Sequence, residues 1–168
     1  MNPAINHLRF RIRFALGFFM AALCLSGATA IPVEEQLNLA LPMLDVGGKM
    51  YQLLSEVLAA VQYTKQHYPF LLYGYDWLAF AHFVIAVAFI GPYINPVRNI
   101  WVLQFGMIAC MMVLPYALIF STLRGLPLWW CAIDCSFGVI GIMPLYYCYR
   151  KAKEMEALLR YDFQNVIF

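Results

Sequence analysis

The chain has 168 residues, of which 64 % are hydrophobic and 12 % are charged, with a formal net charge of +2 at pH 7. Soluble domains are only about 45–50 % apolar, so this composition excludes an ordinary soluble domain. The basic residues are spread along the chain, which argues against a nucleic-acid surface. All five cysteines lie in apolar stretches, which excludes a secreted disulfide framework.

The first apolar segment, residues 14–33, follows a basic stretch, residues 1–13, and has two interpretations. As a transmembrane helix, its roughly 20 uncharged residues cover a ~30 Å hydrocarbon core. As a secretory signal, it ends in the small residues Ala28-Thr29-Ala30, and cleavage there would leave Ile31 as the new N-terminus. We expect the segment to be retained as a transmembrane helix.

Residues 34–72 are mixed in polarity and are predicted to form an outside segment, periplasmic or extracellular, that contains an amphipathic helix. Gly47-Gly48 marks the start of this helix and Pro69 a boundary after it. Its apolar positions recur at helical spacing. We label this amphipathic helix, which lies between Gly47-Gly48 and Pro69, α3, and we call its apolar positions the α3 stripe: Met50, Leu53, Leu54, Val57, Leu58 and Val61. The stripe could pack on the headgroup layer or on the protein's own bundle, or it could dock a partner.

Three long apolar stretches follow, at residues 77–94, 100–122 and 127–149. Each is long enough to cross a bilayer, and the turns between them are so short that consecutive helices must run antiparallel. We therefore predict an all-α integral membrane protein: a transmembrane hairpin bundle over residues 73–149 and a tail over 150–168. With the first segment retained, the bundle has four transmembrane helices; if it is cleaved, it has three.

The basic residues predict the orientation. Alternating the sides of the membrane places three of them outside, Lys49, Lys65 and Arg124, and eight inside: Arg9, Arg11, Arg13, Arg98, Arg150, Lys151, Lys153 and Arg160. The positive-inside rule makes the eight-residue side cytoplasmic. We expect both termini in the cytoplasm and the protein in a cell membrane, the bacterial inner membrane being our expectation.

Ionisable groups at membrane depth are costly and need a structural or functional reason. His82, Tyr116 and Asp134 fall at similar depth and are predicted to form a polar layer in the outer half of the bundle. Asp76 and Arg124 lie at its outer mouth, and Asp76 is also well placed to cap its helix. The layer could handle protons or bind a ligand, or it could hold the helices in register through hydrogen bonds.

Small residues accompany two of these polar groups. Ala79 and Ala86 share a helix face with His82, while Gly138 and Gly141 share one with Asp134. Such faces allow another helix to approach closely. We therefore predict that His82 and Asp134 point inwards and face each other across a helix interface.

No residue pattern predicts a catalytic site, a metal site or a cofactor: His82 alone cannot form a bis-histidine haem site. The leading interpretation is a non-enzymatic subunit or an accessory or assembly component of a membrane complex. The alternatives are a small transporter or transporter subunit that uses the polar layer, and a lipid- or quinone-active enzyme. The expected partners are the lipid bilayer and either another protein or a second copy of this chain, without nucleic acid.

Overall fold

The computed structural model describes the backbone of residues 3–167 and the side chains of residues 3–161. The described residues form helices and no strand. The helices are α1 (Pro3–Ala30), α2 (Val33–Ala40), α3 (Lys49–His67), α4 (Pro69–Ala88), α5 (Ile90–Ile94), α6 (Ile100–Leu123) and α7 (Leu128–Ile167), with a 3-10 turn at Leu41–Met43. The all-α prediction is confirmed.

Among the described residues, four stretches are long and apolar enough to span a membrane: Pro3–Ala30, Pro69–Ile94, Ile100–Leu123 and Leu128–Tyr161. Several of their bounds differ from those expected from the apolar runs alone, and α1 ends at Ala30 rather than at residue 33. α1 includes most of the basic N-terminal stretch, α4 begins at Pro69, and α7 continues through the predicted tail. α3 begins directly after the Gly47-Gly48 pair, where Gly47 has a φ of +97° that favours glycine.

The described residues divide into two compact units. The first unit comprises α1 up to Ala21 and everything from Val87 onward, and the second is Ala22–Ala86. The division falls inside α1 and inside α4.

In the first unit, α6 and α7 pack closely through glycine. A Cβ atom added to Gly138 would lie 2.6 Å from the carbonyl oxygen of Cys110, and one added to Gly141 would lie 3.0 Å from the Cys110 sulfur. Gly106 is equally confined, between the ends of the Phe89 and Leu145 side chains. The predicted small-residue face of α7 is therefore the face on which α6 lies.

α1 packs on α7 in the same unit through a second seam. The buried residues of this seam recur every three or four positions on both helices. They are Ile5, Leu8, Ile12 and Leu16 on α1, and Leu145, Cys148, Ala152 and Met155 on α7. Ile5 and Leu8 cluster with Met155, whereas the Cys148 thiol donates to the carbonyl of Ile12 at 3.8 Å. Because the pairing moves in opposite directions along the two chains, the helices are antiparallel. The spacing is that of a coiled-coil seam.

The turn between α5 and α6 is held to the same end of this unit. Val97 packs against the cluster of Ile5, Leu8 and Met155. Asn99 donates to the carbonyls of Gly91 and Asn95, which closes the turn. Arg13 donates to the carbonyl of Tyr93 at 3.1 Å, with its guanidinium carbon 5.6 Å from the centre of that ring. The start of α1, this turn and the part of α7 around Met155 therefore lie together.

In the second unit, the C-terminal part of α1 approaches α4, and α2 packs on α3. A Cβ atom added to Gly27 would lie 2.7 Å from the carbonyl oxygen of Ala79, so the two helices touch backbone to backbone there. Ala79 and Ala86 are both buried. The predicted alanine face of α4 thus receives a neighbouring helix, which at Ala79 is α1.

Candidate functional site

His82 lies in the second unit, beside the contact between α1 and α4. Its Cβ would be 3.0 Å from a Cβ added to Gly27. Its ring Nδ1 is 3.1 Å from the carbonyl oxygen of Leu78, one turn back on the same helix. The imidazole is thereby held against its own helix. Since Asp134 belongs to the other unit, the facing of His82 and Asp134 stays a prediction.

Tyr116 and Asp134 lie in the first unit, on α6 and α7. Asp134 is partly buried and sits one turn before Gly138, on the face that meets α6. The buried seam of α6 runs through Gly106, Ala117 and Ser121. Tyr116 is one position off this seam, its side chain is 64 % exposed, and its ring packs on Phe120 with centroids 4.5 Å apart. The described side chains contain no hydrogen bond between Tyr116 and Asp134.

The two residues expected at the outer mouth have different local roles. Arg124 is exposed and ends α6, where Gly125 (φ +68°) turns the chain and the amide of Leu126 donates to the carbonyl of Ser121. This is a Schellman-type helix end. Asp76 lies two turns inside α4 and is exposed. The expectation that Asp76 caps the helix is therefore wrong, because α4 already begins at Pro69.

Sequence reasoning missed Ser121, whose side chain is among the buried polar groups of the described residues. Its hydroxyl is 3.5 Å from the carbonyl oxygen of Leu118. The spacing of the small residues on α6 could have indicated it. Ser121 lies four residues after Ala117 and therefore on the same helix face, which also carries Gly106. That spacing, rather than depth alone, decides which polar side chains of α6 point towards α7.

The α3 stripe is only half covered. Met50 is 44 % exposed, and the other five residues are partly buried. α2 and the 3-10 turn at Leu41–Met43 lie against α3. Leu37 of α2 is buried. No residue of α3 is fully buried. Apolar surface is therefore open mainly at Met50, at the start of this helix, and the rest of the stripe keeps only a minor part of its surface exposed.

Two polar contacts join α2 to α3. Lys65 and Glu34 form an ion pair at 2.6 Å, and Gln62 donates to the same carboxylate at 3.3 Å. The hydrogen bond from Lys65 is the main reason that the pKa of Glu34 is lowered, and it raises the pKa of Lys65 in return. These contacts join the start of α2 to the C-terminal part of α3.

The arrangement thus offers a partly open apolar helix face in one unit and separate, partly buried polar groups in both. Among the described residues, no three His, Cys, Asp or Glu side chains are grouped so that they could hold a metal ion. Comparison with protein-family models, with curated proteins and with solved structures found no match to this chain.

Proposed function

We propose that this chain is a small polytopic membrane protein that serves as a non-enzymatic subunit or accessory component of a membrane complex. The observation that carries the proposal is the apolar stripe of α3, which is partly covered and is most exposed at Met50. It stands on a segment that is itself fixed by the Glu34–Lys65 ion pair. In this proposal, the stripe docks on the extramembrane part of a protein partner.

Membrane insertion is supported by the four apolar helical stretches. In the proposed orientation, the N-terminus and the C-terminus are cytoplasmic and α3 is outside. The packing of Val97 with Ile5, Leu8 and Met155 supports this orientation, because it gathers the basic ends of three elements at one end of the first unit. That end carries the eight basic residues that the positive-inside rule assigns to the cytoplasm.

Retention of the first segment is part of the proposal and is supported by its packing. Ile12 and Leu16 are fully buried. Phe19 meets Phe89 edge to face, with ring centroids 4.9 Å apart. Removal of residues 1–30 would therefore expose the face of α7 that carries Cys148 and Met155, together with the ring of Phe89. Packing losses of this kind are large even for a single truncated side chain.

The charge of the outside segment favours a protein partner over the membrane surface. Residues 34–68 contain four carboxylates, Glu34, Glu35, Asp45 and Glu56, and two lysines. Helices that lie on anionic membranes carry Lys and Arg on their polar face. A segment with a net charge of −2 is not attracted to such a surface. Its apolar stripe is better suited to another protein or to a second copy of this chain.

The test is quantitative co-purification from the native organism in a mild detergent. The stripe variant is Leu53→Ser with Leu58→Ser. The matched control is Ala59→Ser with Ala60→Ser, which alters two exposed residues of the same helix. Leu53 and Leu58 are partly buried, and covering the surface that such a leucine leaves exposed contributes roughly 0.5–1 kcal/mol. We therefore expect recovery of the partner to fall by about tenfold in the stripe variant. Recovery should be unchanged in the control.

A differently tagged second copy of the chain is assayed in parallel, since the partner could be identical. Far-UV circular dichroism verifies that both variants keep their helices. A second pair, His82→Ala with Asp134→Ala, distinguishes the rival functions. The docking proposal fails if partners survive the stripe variant while a transport or lipid-modifying activity is lost with the second pair. In that case the polar layer is the functional site.

A further inference from the structure

A groove of about 580 Å³ lies on the surface of α7, just beyond its apolar part. Two tyrosines and three cations line it: Tyr146, Tyr147, Arg150, Lys151 and Lys153. The apolar part of α7, residues 128–149, is about 33 Å long at 1.5 Å per residue, which matches one hydrocarbon core. The groove therefore opens at the depth of lipid headgroups. Tyrosine and basic side chains are the usual residues at that depth.

The cations of the groove are not all neutralised. Its carboxylate, Glu154, is paired with Lys151 at 2.7 Å, and Lys153 pairs with Glu156 at 3.0 Å. Glu156 is shared with a second cation, Arg160, at 2.7 Å. Arg150 instead donates to the neutral hydroxyl of Tyr146 at 3.3 Å, and it has no carboxylate partner among the described residues. The groove thus holds an excess of positive charge with a guanidinium fork available for an anion.

An apolar track leads from the groove along the same side of α7. Phe137, Ile140 and Met143 recur every three residues and are 64 %, 62 % and 61 % exposed. Met143 also lines the groove, and Tyr147 stands one turn further on. Residues three and four apart share a helix face. One helix therefore presents a cationic groove for an anionic head group and an apolar surface for the tail of the same molecule.

From this juxtaposition we propose that α7 binds an anionic phospholipid, with its phosphate at Arg150 and Lys153 and an acyl chain along Met143, Ile140 and Phe137. Arg150 contacts the phosphate oxygens through its guanidinium, and Tyr146 holds that guanidinium in place. The proposal rests on membrane insertion and is independent of docking at the α3 stripe. A free phosphate would use the basic groove alone, and a lipid uses the groove and the apolar track together.

The experiment measures binding of phosphatidylglycerol and phosphatidylcholine to the full chain in detergent micelles, by native mass spectrometry of the bound lipid. The groove variant is Arg150→Gln with Lys153→Gln, two exposed residues. The charge-matched control is Arg11→Gln with Arg98→Gln, which are also exposed and basic but do not line the groove. A cation near an anionic lipid contributes about fivefold in affinity, so phosphatidylglycerol binding should fall roughly 30-fold in the groove variant. The control should lose less than about threefold.

Three further measurements complete the test. Tyr146→Phe leaves the charge unchanged and should weaken binding a few-fold, because Arg150 loses its acceptor. Ile140→Asn should weaken phosphatidylglycerol binding without changing its preference over phosphatidylcholine. Glycerol phosphate, which has the anion without the tail, should compete poorly. Equal losses in the groove and control variants, equal affinity for the two lipids, or full competition by glycerol phosphate would each overturn the proposal.

Discussion

The close approach of α6 and α7 at Gly138 leads to a sharp prediction about stability. A Cβ atom at this position would lie 2.6 Å from the carbonyl oxygen of Cys110, whereas real Cβ atoms essentially never come within 3.0 Å of another heavy atom. Gly138→Ala therefore forces the two helices apart by about 0.4 Å or more. The obstacle is backbone, which cannot rotate away as a side chain does. We expect the variant to be less stable than the parent protein.

The magnitude follows from two opposing effects. Overpacking of a well-packed contact costs about 1–3 kcal/mol. Replacing glycine by alanine inside a helix stabilises that helix by about 1 kcal/mol. Gly74→Ala is the matched control, because Gly74 also lies inside a helix and a Cβ atom there meets no atom within 4 Å. The gain in helix propensity is common to both variants. The difference between their unfolding free energies, about 1–3 kcal/mol, therefore isolates the clash.

Unfolding of the purified chain in mixed micelles of graded SDS content, followed by far-UV circular dichroism, measures this difference. Gly106→Ala should fall between the two variants. A Cβ atom there would lie 2.7 Å from Phe89 and 2.8 Å from Leu145, but both contacts are with the ends of side chains that can move. If Gly138→Ala proves as stable as Gly74→Ala, then α6 and α7 do not meet at these residues and the packing described for the first unit is incorrect.

Two further predictions concern the placement of the chain in the membrane. The intact mass of the mature protein should include α1, because Ile12 and Leu16 belong to the buried seam with α7; a mature chain that begins at Ile31 would contradict this. With the native cysteines removed, cysteines introduced as Lys49→Cys and Lys153→Cys, both at exposed positions, should react differently with an impermeant thiol reagent in intact cells. Position 49 should be labelled and position 153 protected, and the reverse pattern would invert the orientation.

Length and apolarity were sufficient to predict the helices that begin at Ile100 and Leu128, because an uninterrupted apolar run has few other structures available. Glycine and proline were sufficient to bound α3, since Gly47 adopts a positive φ and Pro69 begins the next helix. The end of α7 could not be predicted in this way. The apolar run stops at Tyr149, but the helix continues. Its further part carries ion pairs between residues three or four positions apart, such as Lys151 with Glu154 and Arg160 with Glu156.

The candidate polar groups were predicted from depth, and depth does not determine direction. Tyr116 and Ala117 differ by one residue and hence by about 100° around the helix. Ala117 lies in the buried seam with α7, while Tyr116 lies beside Phe120 on the exposed side. For His82 the small neighbours were informative, because Ala79 lies where α1 approaches α4 and the His82 Cβ lies 3.0 Å from a Cβ added to Gly27. That His82 and Asp134 face each other stays a prediction.

The ambiguity of the first segment has a similar cause. A signal sequence and a transmembrane helix both require a basic flank and an apolar core, so composition alone cannot distinguish them. The two differ in whether the side chains of the segment pack against the rest of the chain. Ile5 and Leu8 lie within the basic stretch, outside any apolar core, and yet they are buried against Met155, which lies beyond the apolar part of α7. A leader that is cut away has no physical need for such a match, whereas a retained helix uses it to continue its antiparallel seam with α7 beyond the apolar stretch.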